Sequence, residues 1–168
     1  MRQQVLSLLV SNHFGVLNRV TSIFSRRTCN IVSLTVAETL NPEISRITIL
    51  IEADLDMGLQ LEKILQKQED VIKAEIFPVT ELISRELLLI KIKYDNLYLL
   101  ENRLDELKQQ CSPKVIDRTE STVTILVSSE RSRINQFILD MRDFNIIELC
   151  RTGVASLNKG AGTLYDME

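Results

Sequence analysis

The hydrophobic pattern of this chain switches between two periods in a fixed order, and the complete order occurs twice. Stretches in which apolar or β-branched residues alternate with polar ones predict strands, because neighbouring side chains of a strand point to opposite faces. Stretches in which apolar residues recur every three or four positions predict amphipathic helices. The order in each half is strand, helix, strand, strand, helix, strand. It is typical of a ferredoxin-like unit, a four-stranded antiparallel sheet with two helices on one face.

The predicted elements divide the chain at Pro78. In the first half, strands are predicted at residues 5–10, 31–37, 44–52 and 72–76, and helical stripes begin at Val16 and Met57. In the second half, strands are predicted at residues 88–94, 114–119, 123–127 and 145–151, and the helical stripes include Leu97 and Ile134. Ser128 or Ser129 is the predicted cap of the last helix. We therefore predict an α+β fold with two tandem domains, residues 1–78 and residues 79–168.

The junction between the first strand and the first helix carries the residues Asn12, His13, Phe14 and Gly15. A glycine at such a turn lets the backbone approach a ligand, because no Cβ stands in the way. The helix that follows presents unpaired N–H groups and a partial positive charge, which suit a carboxylate. This junction predicts a site for a small anion or zwitterion, and no catalytic group accompanies it.

Charge and composition exclude other functions. The formal net charge is −3, the pI is near 5.3, and aromatic residues make up only 5%, so a nucleic-acid partner is not expected. The sequence lacks phosphate-loop and metalloprotease motifs, and His13 is its only histidine. We therefore expect no enzyme activity, no catalytic residue and no metal site.

The three cysteines and the apolar runs bear on the compartment. Cys29, Cys111 and Cys150 are an odd number without C-x-x-C spacing, so we interpret them as buried small apolar residues. No apolar run approaches the roughly 20 residues needed to cross a membrane. The N-terminal apolar run is too short for a signal peptide. These features predict a cytoplasmic protein with no membrane contact.

The first predicted sheet carries apolar residues on both faces, although its two helices can cover only one. Val32 and Leu34 lie on one side of the second strand, and Ile31 and Ala37 lie on the other. A small sheet with a half-covered surface and open edges tends to find a partner. We expect a homodimer in which two such sheets pair edge to edge.

Specific residues in both halves resemble a known family. The first half resembles the amino-acid-binding ACT domain of acetolactate synthase small subunits at Asn12, Gly15, Val16, Leu17, Arg19, Val20, Phe24, Arg26, Arg27, Asn30, Ile31, Ser33, Leu34 and Val36. The second half is similar to the C-terminal domain of the same family at Arg85, Glu86, Leu87, Ile147, Glu148, Leu149, Cys150, Arg151, Thr152, Gly153, Leu157 and Gly160. The resemblance covers most of the chain.

The resemblance implies a non-catalytic regulatory subunit in branched-chain amino-acid biosynthesis. Such a subunit activates a separate large, catalytic subunit and confers feedback inhibition by valine or another branched-chain amino acid. The resemblance implies no cofactor in this chain, while the catalytic partner carries thiamine diphosphate, Mg and FAD. The alternative is a freestanding ACT-domain amino-acid sensor that acts without an enzyme partner.

The resemblance places an effector site between the first domains of two chains. The matching residues are Asn12, His13, Phe14, Gly15, Val16 and Leu17 of one chain, with Asn30 and Ile31 of the other. Backbone N–H groups at residues 15–17 would bind the carboxylate of an amino acid, and the amide oxygens of Asn12 and Asn30 would accept from its ammonium group. Val16, Leu17 and Ile31 suit a branched aliphatic side chain. The alternative role of Asn12 is a helix N-terminal cap or an Asx-turn, and that of Asn30 is a helix C-terminal cap.

Two residues before Asn30 depart from the family pattern. Thr28 and Cys29 stand where the family usually has a glycine followed by an aromatic residue. A glycine would relieve a left-handed helix end, whereas the β-branched Thr28 is strained there or imposes another geometry.

Overall fold

The computed structural model describes residues 2–165 and confirms the predicted order of strands and helices. The first repeat comprises β1 (Arg2–Ser11), α1 (Val16–Arg26), β2 (Ile31–Glu38), β3 (Ile44–Ala53), α2 (Leu55–Leu65) and β4 (Val71–Pro78). The second comprises β5 (Leu82–Lys93), α3 (Leu97–Cys111), β6 (Lys114–Arg118), β7 (Thr122–Ser129), α4 (Arg131–Asp140) and β8 (Asn145–Arg151). A 3-10 turn (Val79–Glu81) and a short strand, β9 (Ala155–Asn158), lie outside the two repeats.

The chain forms two compact units whose bounds differ from the predicted domains. Residues 2–84 and 154–165 belong to the first unit, and Arg85–Gly153 form the second. The predicted assignment of residues 79–168 to one domain is therefore wrong at both ends. Leu82, Val154 and Leu164 are buried in a cluster with residues of the first sheet, so burial of apolar area sets these bounds.

The first unit is organised around β1. Its sheet has the order β2-β3-β1-β4, and β1 is antiparallel to both of its neighbours. One face of the sheet packs against the two helices, where Leu6 and Leu8 contact a core that includes Phe24 of α1 and Leu61 of α2. The alternation of the strand directs Val5 and Leu9 to the opposite face. Both faces of β1 are therefore buried.

The C-terminal segment covers part of the helix-free face of this sheet. Val154 and Leu164 are buried with Val5, Leu9 and Leu50. Complete burial of one such side chain contributes about 1.5–3 kcal/mol. The expected half-covered sheet is thus wrong over this part of the surface, because a segment without helical or strand periodicity fills it.

Polar contacts hold the same segment. Arg46 donates from Nη2 to the Ser156 carbonyl at 2.9 Å, and the hydroxyls of Ser84 and Ser156 lie 2.8 Å apart. Strand β9 pairs with β5. Burial lowers the pKa of the Arg46 guanidinium from its ordinary value. Among residues 2–165, Arg46 Nε and Asn158 Oδ1 are buried without a hydrogen-bond partner. Burial of these two atoms costs free energy, so the segment is held less strongly than its apolar contacts alone would hold it.

The second unit repeats the layout, with the strand order β6-β7-β5-β8. Leu88, Ile90 and Ile125 point to the helices and form a core with Leu104 and Phe137. The cap of α3 is Asn96, whose side chain accepts from two backbone N–H groups of the first turn. The predicted serine cap of α4 is wrong, because Glu130 holds that position without a side-chain bond and Ser129 lies in β7.

A buried carboxylate fastens the start of β5 to the end of β8. The Glu86 side chain is 1% exposed and receives two hydrogen bonds from Arg151, at 2.6 Å from Nε and 2.9 Å from Nη2. Arg131 lies 3.5 Å away, and Arg151 also donates to Asn135 at 3.0 Å. The carboxylate is compensated by two cations, so its burial is stable.

The cysteines do not share one environment. Cys111 is buried and Cys29 is half-buried, and burial raises the pKa of each thiol. Cys150 is exposed on β8, so its predicted burial is wrong. Strand β8 lies at the edge of the sheet, where no element of the described chain covers it.

No helix within residues 2–165 has the length and apolar character to span a membrane.

The end of α1 explains the position of Thr28. Cys29 N–H bonds to the Phe24 carbonyl at 3.1 Å, and Thr28 N–H bonds to the Ser25 carbonyl at 3.3 Å. This pair of bonds is a Schellman ending, which requires a left-handed residue just after the cap. Thr28 fills that position with φ 53°. The strain predicted for a β-branched residue here is therefore present.

Replacement of Thr28 by glycine should stabilise the first unit. A non-glycine residue in the left-handed conformation costs about 1–2 kcal/mol of strain, which glycine relieves. Glycine gives back about 0.5–1 kcal/mol of this gain, because it loses more chain entropy on folding. We expect Thr28→Gly to raise the unfolding free energy by about 0.5–1 kcal/mol, measured by hydrogen exchange of the β1 amides. Thr21→Gly, inside α1, is the control and should destabilise. A loss of stability in Thr28→Gly would contradict the strain.

The Glu86–Arg151 pair should show strong coupling in a double-mutant cycle. Arg151→Met leaves a buried carboxylate with only Arg131 nearby and should cost about 3–5 kcal/mol, measured by urea unfolding. Glu86→Leu should cost less because both arginines are partly exposed, and the double variant should cost less than the sum. Lys91→Met removes an exposed pair with Glu148 and should change stability by under about 1 kcal/mol. Additive losses would show that the pair is not coupled.

Candidate functional site

The loop that joins β1 to α1 has a fixed backbone. Gly15 is the N-terminal cap of α1, with φ 89°, and no side chain caps the helix. A Cβ at Gly15 would meet nothing closer than 4.0 Å, so the left-handed backbone rather than space requires glycine. A glycine turn is predicted from the sequence at this position, and the structure contains one.

Asn12 is held by the hairpin between β2 and β3 and does not cap the helix. Its backbone N–H bonds to the Glu43 carbonyl at 2.8 Å, and its Nδ2 donates to the Pro42 carbonyl at 2.8 Å. A longer bond of 3.4 Å joins Nδ2 to Glu38. The capping alternative is therefore wrong. Within residues 2–165 the Asn12 Oδ1 accepts no hydrogen bond, so it is free to receive one from a ligand.

Asp70, which is not among the residues predicted from the sequence, anchors the loop from the other side. His13 Nε2 lies 3.0 Å from one Asp70 oxygen, and Arg19 Nε lies 2.6 Å from the other. The Asp70 carbonyl also accepts from Ser11 N–H at 2.9 Å. The only signal in the sequence is topological: β4 pairs with β1, so its first residues lie beside the end of β1.

The first turn of α1 offers backbone donors. Val16 N–H makes one long bond of 3.5 Å to the His13 carbonyl. The N–H groups of Gly15 and Leu17 have no acceptor in the described part of the chain. Unpaired donors at the positive end of a helix attract a carboxylate.

The predicted apolar lining is only partly available. Val16 is 3% exposed and belongs to the core of the first unit, so its side chain cannot contact a ligand and only its backbone can. Leu17 is 42% exposed and Phe14 is fully exposed. Leu17 is therefore available for the predicted apolar slot. The Val16 side chain is not, because α1 directs it into the core.

Asn30 and Ile31 lie at the other end of α1, at the start of β2. Asn30 is exposed and is not the helix cap, which is Arg27, so its capping alternative is wrong. Ile31 is half-buried against the core. Within one chain the structure does not bring Asn30 to Asn12, because Asn12 lies beside Glu38 at the far end of β2.

Strand β2 is an open edge. It pairs with β3 only, and no other strand among residues 2–165 covers its outer side. Val36 on this edge is 39% exposed. An edge of this kind can pair with a second chain. The described residues contain no group of three or more side chains placed to hold a metal ion.

Comparison with known proteins agrees with this architecture. The family model described as "AHAS small subunit-like ACT domain" matches residues 6–73, and the model described as "Small subunit of acetolactate synthase" matches residues 85–160. The chain is 34% identical to the acetolactate synthase isozyme 3 small subunit of Escherichia coli, over 94% of this chain and 96% of that protein. It is 30% identical to the acetolactate synthase small subunit of Bacillus subtilis, over 94% and 91%.

A solved structure gives the same result for the three-dimensional fold. The acetolactate synthase small subunit of Thermotoga maritima superposes with a TM-score of 0.84 at 30% identity, over 96% of this chain and 100% of that one. The two family models, the full-length relatives and the tandem ferredoxin-like fold together show that this chain belongs to the acetolactate synthase small-subunit family, as an ACT-domain regulatory subunit.

Proposed function

We propose that this chain activates the catalytic subunit of acetolactate synthase and makes that subunit sensitive to valine or a similar branched-chain amino acid. The observation that carries the proposal is the loop at residues 12–17. It combines unpaired backbone N–H groups with a free Asn12 Oδ1 beside an open strand edge. These groups match the carboxylate and the ammonium group of a free amino acid.

The effector site is completed by a second copy of the chain. Strand β2 has Asn30 before its first residue and Glu38 as its last, and Asn12 lies beside Glu38. An antiparallel pairing of two β2 edges brings the first end of one strand to the last end of the other. Asn30 and Ile31 of one copy then face the Asn12 loop of the other, and a homodimer carries two equivalent sites.

The chemistry of each contact follows from this arrangement. The N–H groups at the start of α1 bind the carboxylate, and Asn12 and the second copy's Asn30 accept from the ammonium group. Leu17 and Ile31 contact the branched side chain, with Phe14 at the margin. Each hydrogen bond to a charged group contributes about 1.5–3 kcal/mol. Thr28 keeps the left-handed turn that a glycine would adopt, so the approach to Asn30 is retained.

The division of labour follows from the same proposal. Acetolactate formation takes place on the catalytic subunit. The family resemblance implies that this subunit carries thiamine diphosphate, Mg and FAD. This chain contributes binding and regulation. An effector shifts the activity only by its different affinity for the active and inactive states of the complex.

Removal of the Asn12 or Asn30 amide should weaken feedback strongly and leave activation intact. The purified chain should raise the turnover of the acetolactate synthase catalytic subunit from the same organism, and valine should reverse part of the gain. In Asn12→Ala or Asn30→Ala, loss of one bond to the ammonium group should raise the half-maximal valine concentration about ten- to a hundredfold.

Asn102→Ala is the matched control, because Asn102 is exposed on α3 in the second unit. It should activate and respond to valine as the unchanged chain does. No activation by the unchanged chain would refute the subunit role. Equal valine responses in all three variants would show that the site is misplaced.

A charge on β2 should dissociate the dimer. Val36→Lys places like charges near the shared edge of two copies, so we expect the molar mass in light scattering to fall from about twice that of the chain to about one chain at micromolar concentration. Calorimetric binding of valine should weaken at least about tenfold in the same variant, because each site needs both copies.

Ile72→Lys is the control at the opposite edge. Ile72 is 51% exposed on β4, which pairs with β1 only. This variant should stay dimeric. A monomeric Ile72→Lys together with a dimeric Val36→Lys would assign the interface to β4 and overturn the β2 arrangement.

A further inference from the structure

Residues 154–164, called the strap below, follow the second unit in sequence and pack on the sheet of the first. Val154 and Leu164, at the two ends of the strap, are both buried in the cluster on the helix-free face. Between them, Lys159 N–H bonds to the Glu81 carbonyl at 3.2 Å and Lys159 Nζ bonds to the Thr80 carbonyl. The strap is therefore attached at both ends and near its middle.

The strap contacts β2, the strand that begins directly after Asn30 of the proposed effector site. Val154 N–H donates to the Ser33 hydroxyl of β2 at 3.4 Å, and Val32 of β2 packs against the same apolar cluster as Val154. Ser156 accepts from Arg46, which pairs directly with Ala37 of β2 in the sheet register. A shift of β2 consequently reaches the strap at Val154 and, through Arg46, at Ser156.

The residues just before the strap are clamped within the second unit. Thr152 N–H bonds to the Leu87 carbonyl and Leu87 N–H bonds to the Thr152 hydroxyl, both at 3.1 Å. Arg151 holds the buried Glu86 with two hydrogen bonds. One residue, Gly153, then separates the clamp from Val154. A displacement of Val154 cannot be absorbed by a long flexible linker.

We propose that the docked strap is the element that transmits effector binding at β2 to the second unit, with Ser33 as its receiving contact and Thr152 and Arg151 as its anchor. The inference rests on the proposed function and adds the path of regulation. The docked strap is the transmitting state, and a released strap uncouples binding from inhibition. The Arg-Thr-Gly sequence at residues 151–153, which the effector site leaves without a role, is the anchor of this device.

Truncation of one buried strap residue tests the proposal. Leu164→Ala removes apolar contacts from an attachment that already contains two buried unpaired polar atoms, so it should release the strap. Leu157→Ala is the matched control, because Leu157 lies in the same segment and is 61% exposed. Hydrogen exchange of the amides at residues 154–164 should accelerate about tenfold in Leu164→Ala and stay unchanged in Leu157→Ala.

The functional measurements use the complex with the catalytic subunit. Leu164→Ala should bind valine calorimetrically as the unchanged chain does, while the inhibition of the complex by valine weakens by about fivefold or more. If exchange is not accelerated, the double variant Val154→Ala with Leu164→Ala takes its place. Accelerated exchange together with undiminished inhibition overturns the proposal.

A disulfide provides the opposite perturbation. Ser84→Cys with Ser156→Cys replaces two hydroxyls that lie 2.8 Å apart, and its oxidised form locks the strap in place. The oxidised variant should keep the full valine response, and a lost response that returns on reduction would overturn the docked strap as the transmitting state. If the unchanged chain neither activates nor responds to valine, the proposed function fails; if only the variants disagree, the strap inference alone fails.

Discussion

The burial of β1 on both faces is the constraint on which the first unit depends. Leu6 and Leu8 need the helices, and Val5 and Leu9 need a second cover that the helices cannot supply. Because side chains alternate along a strand, a shift of one residue in register would exchange the two sets. The register with β3 and β4 and the position of the Asn12 loop are therefore fixed together with the two cores.

Two left-handed residues bracket α1 and set the entry and exit of the chain. Gly15 starts the helix and Thr28 ends it, so the helix joins strands β1 and β2 through turns of fixed shape. Gly15 has this conformation at little cost, whereas Thr28 has it under strain. Both turns adjoin residues proposed to bind the effector. Strain of this kind is often found beside functional residues, where the surrounding structure holds it in place.

The sequence predicted the elements well because their periodicity is carried by many residues. Stripes such as those of α3 and β5 recur over several turns or alternations, so a single exception does not obscure them. The loop glycine was also predictable, since its position between strand and helix is local information. The Asn12–Gly15 motif is therefore enough to locate the loop from the sequence.

Features that depend on single residues distant in sequence could not be predicted. Leu164 is one apolar residue after a glycine-containing segment, and nothing local shows that it fills the first sheet. The inward turn of Val16 and the anchoring of His13 by Asp70 depend on the packing of α1 and the start of β4. The cap predicted as the alternative role of Asn12 is wrong because the side-chain amide bonds to Pro42, in a hairpin 30 residues later, and local sequence does not show this contact.

The first unit is built from two separate stretches of the chain, and this sets the order in which the units can fold during synthesis. The second unit is one continuous stretch, Arg85–Gly153, and can complete its core as soon as that stretch has left the ribosome. The first unit begins earlier but closes its helix-free face only when Leu164 arrives. The packing of the first unit is thus completed only after the whole of the second unit has been synthesised.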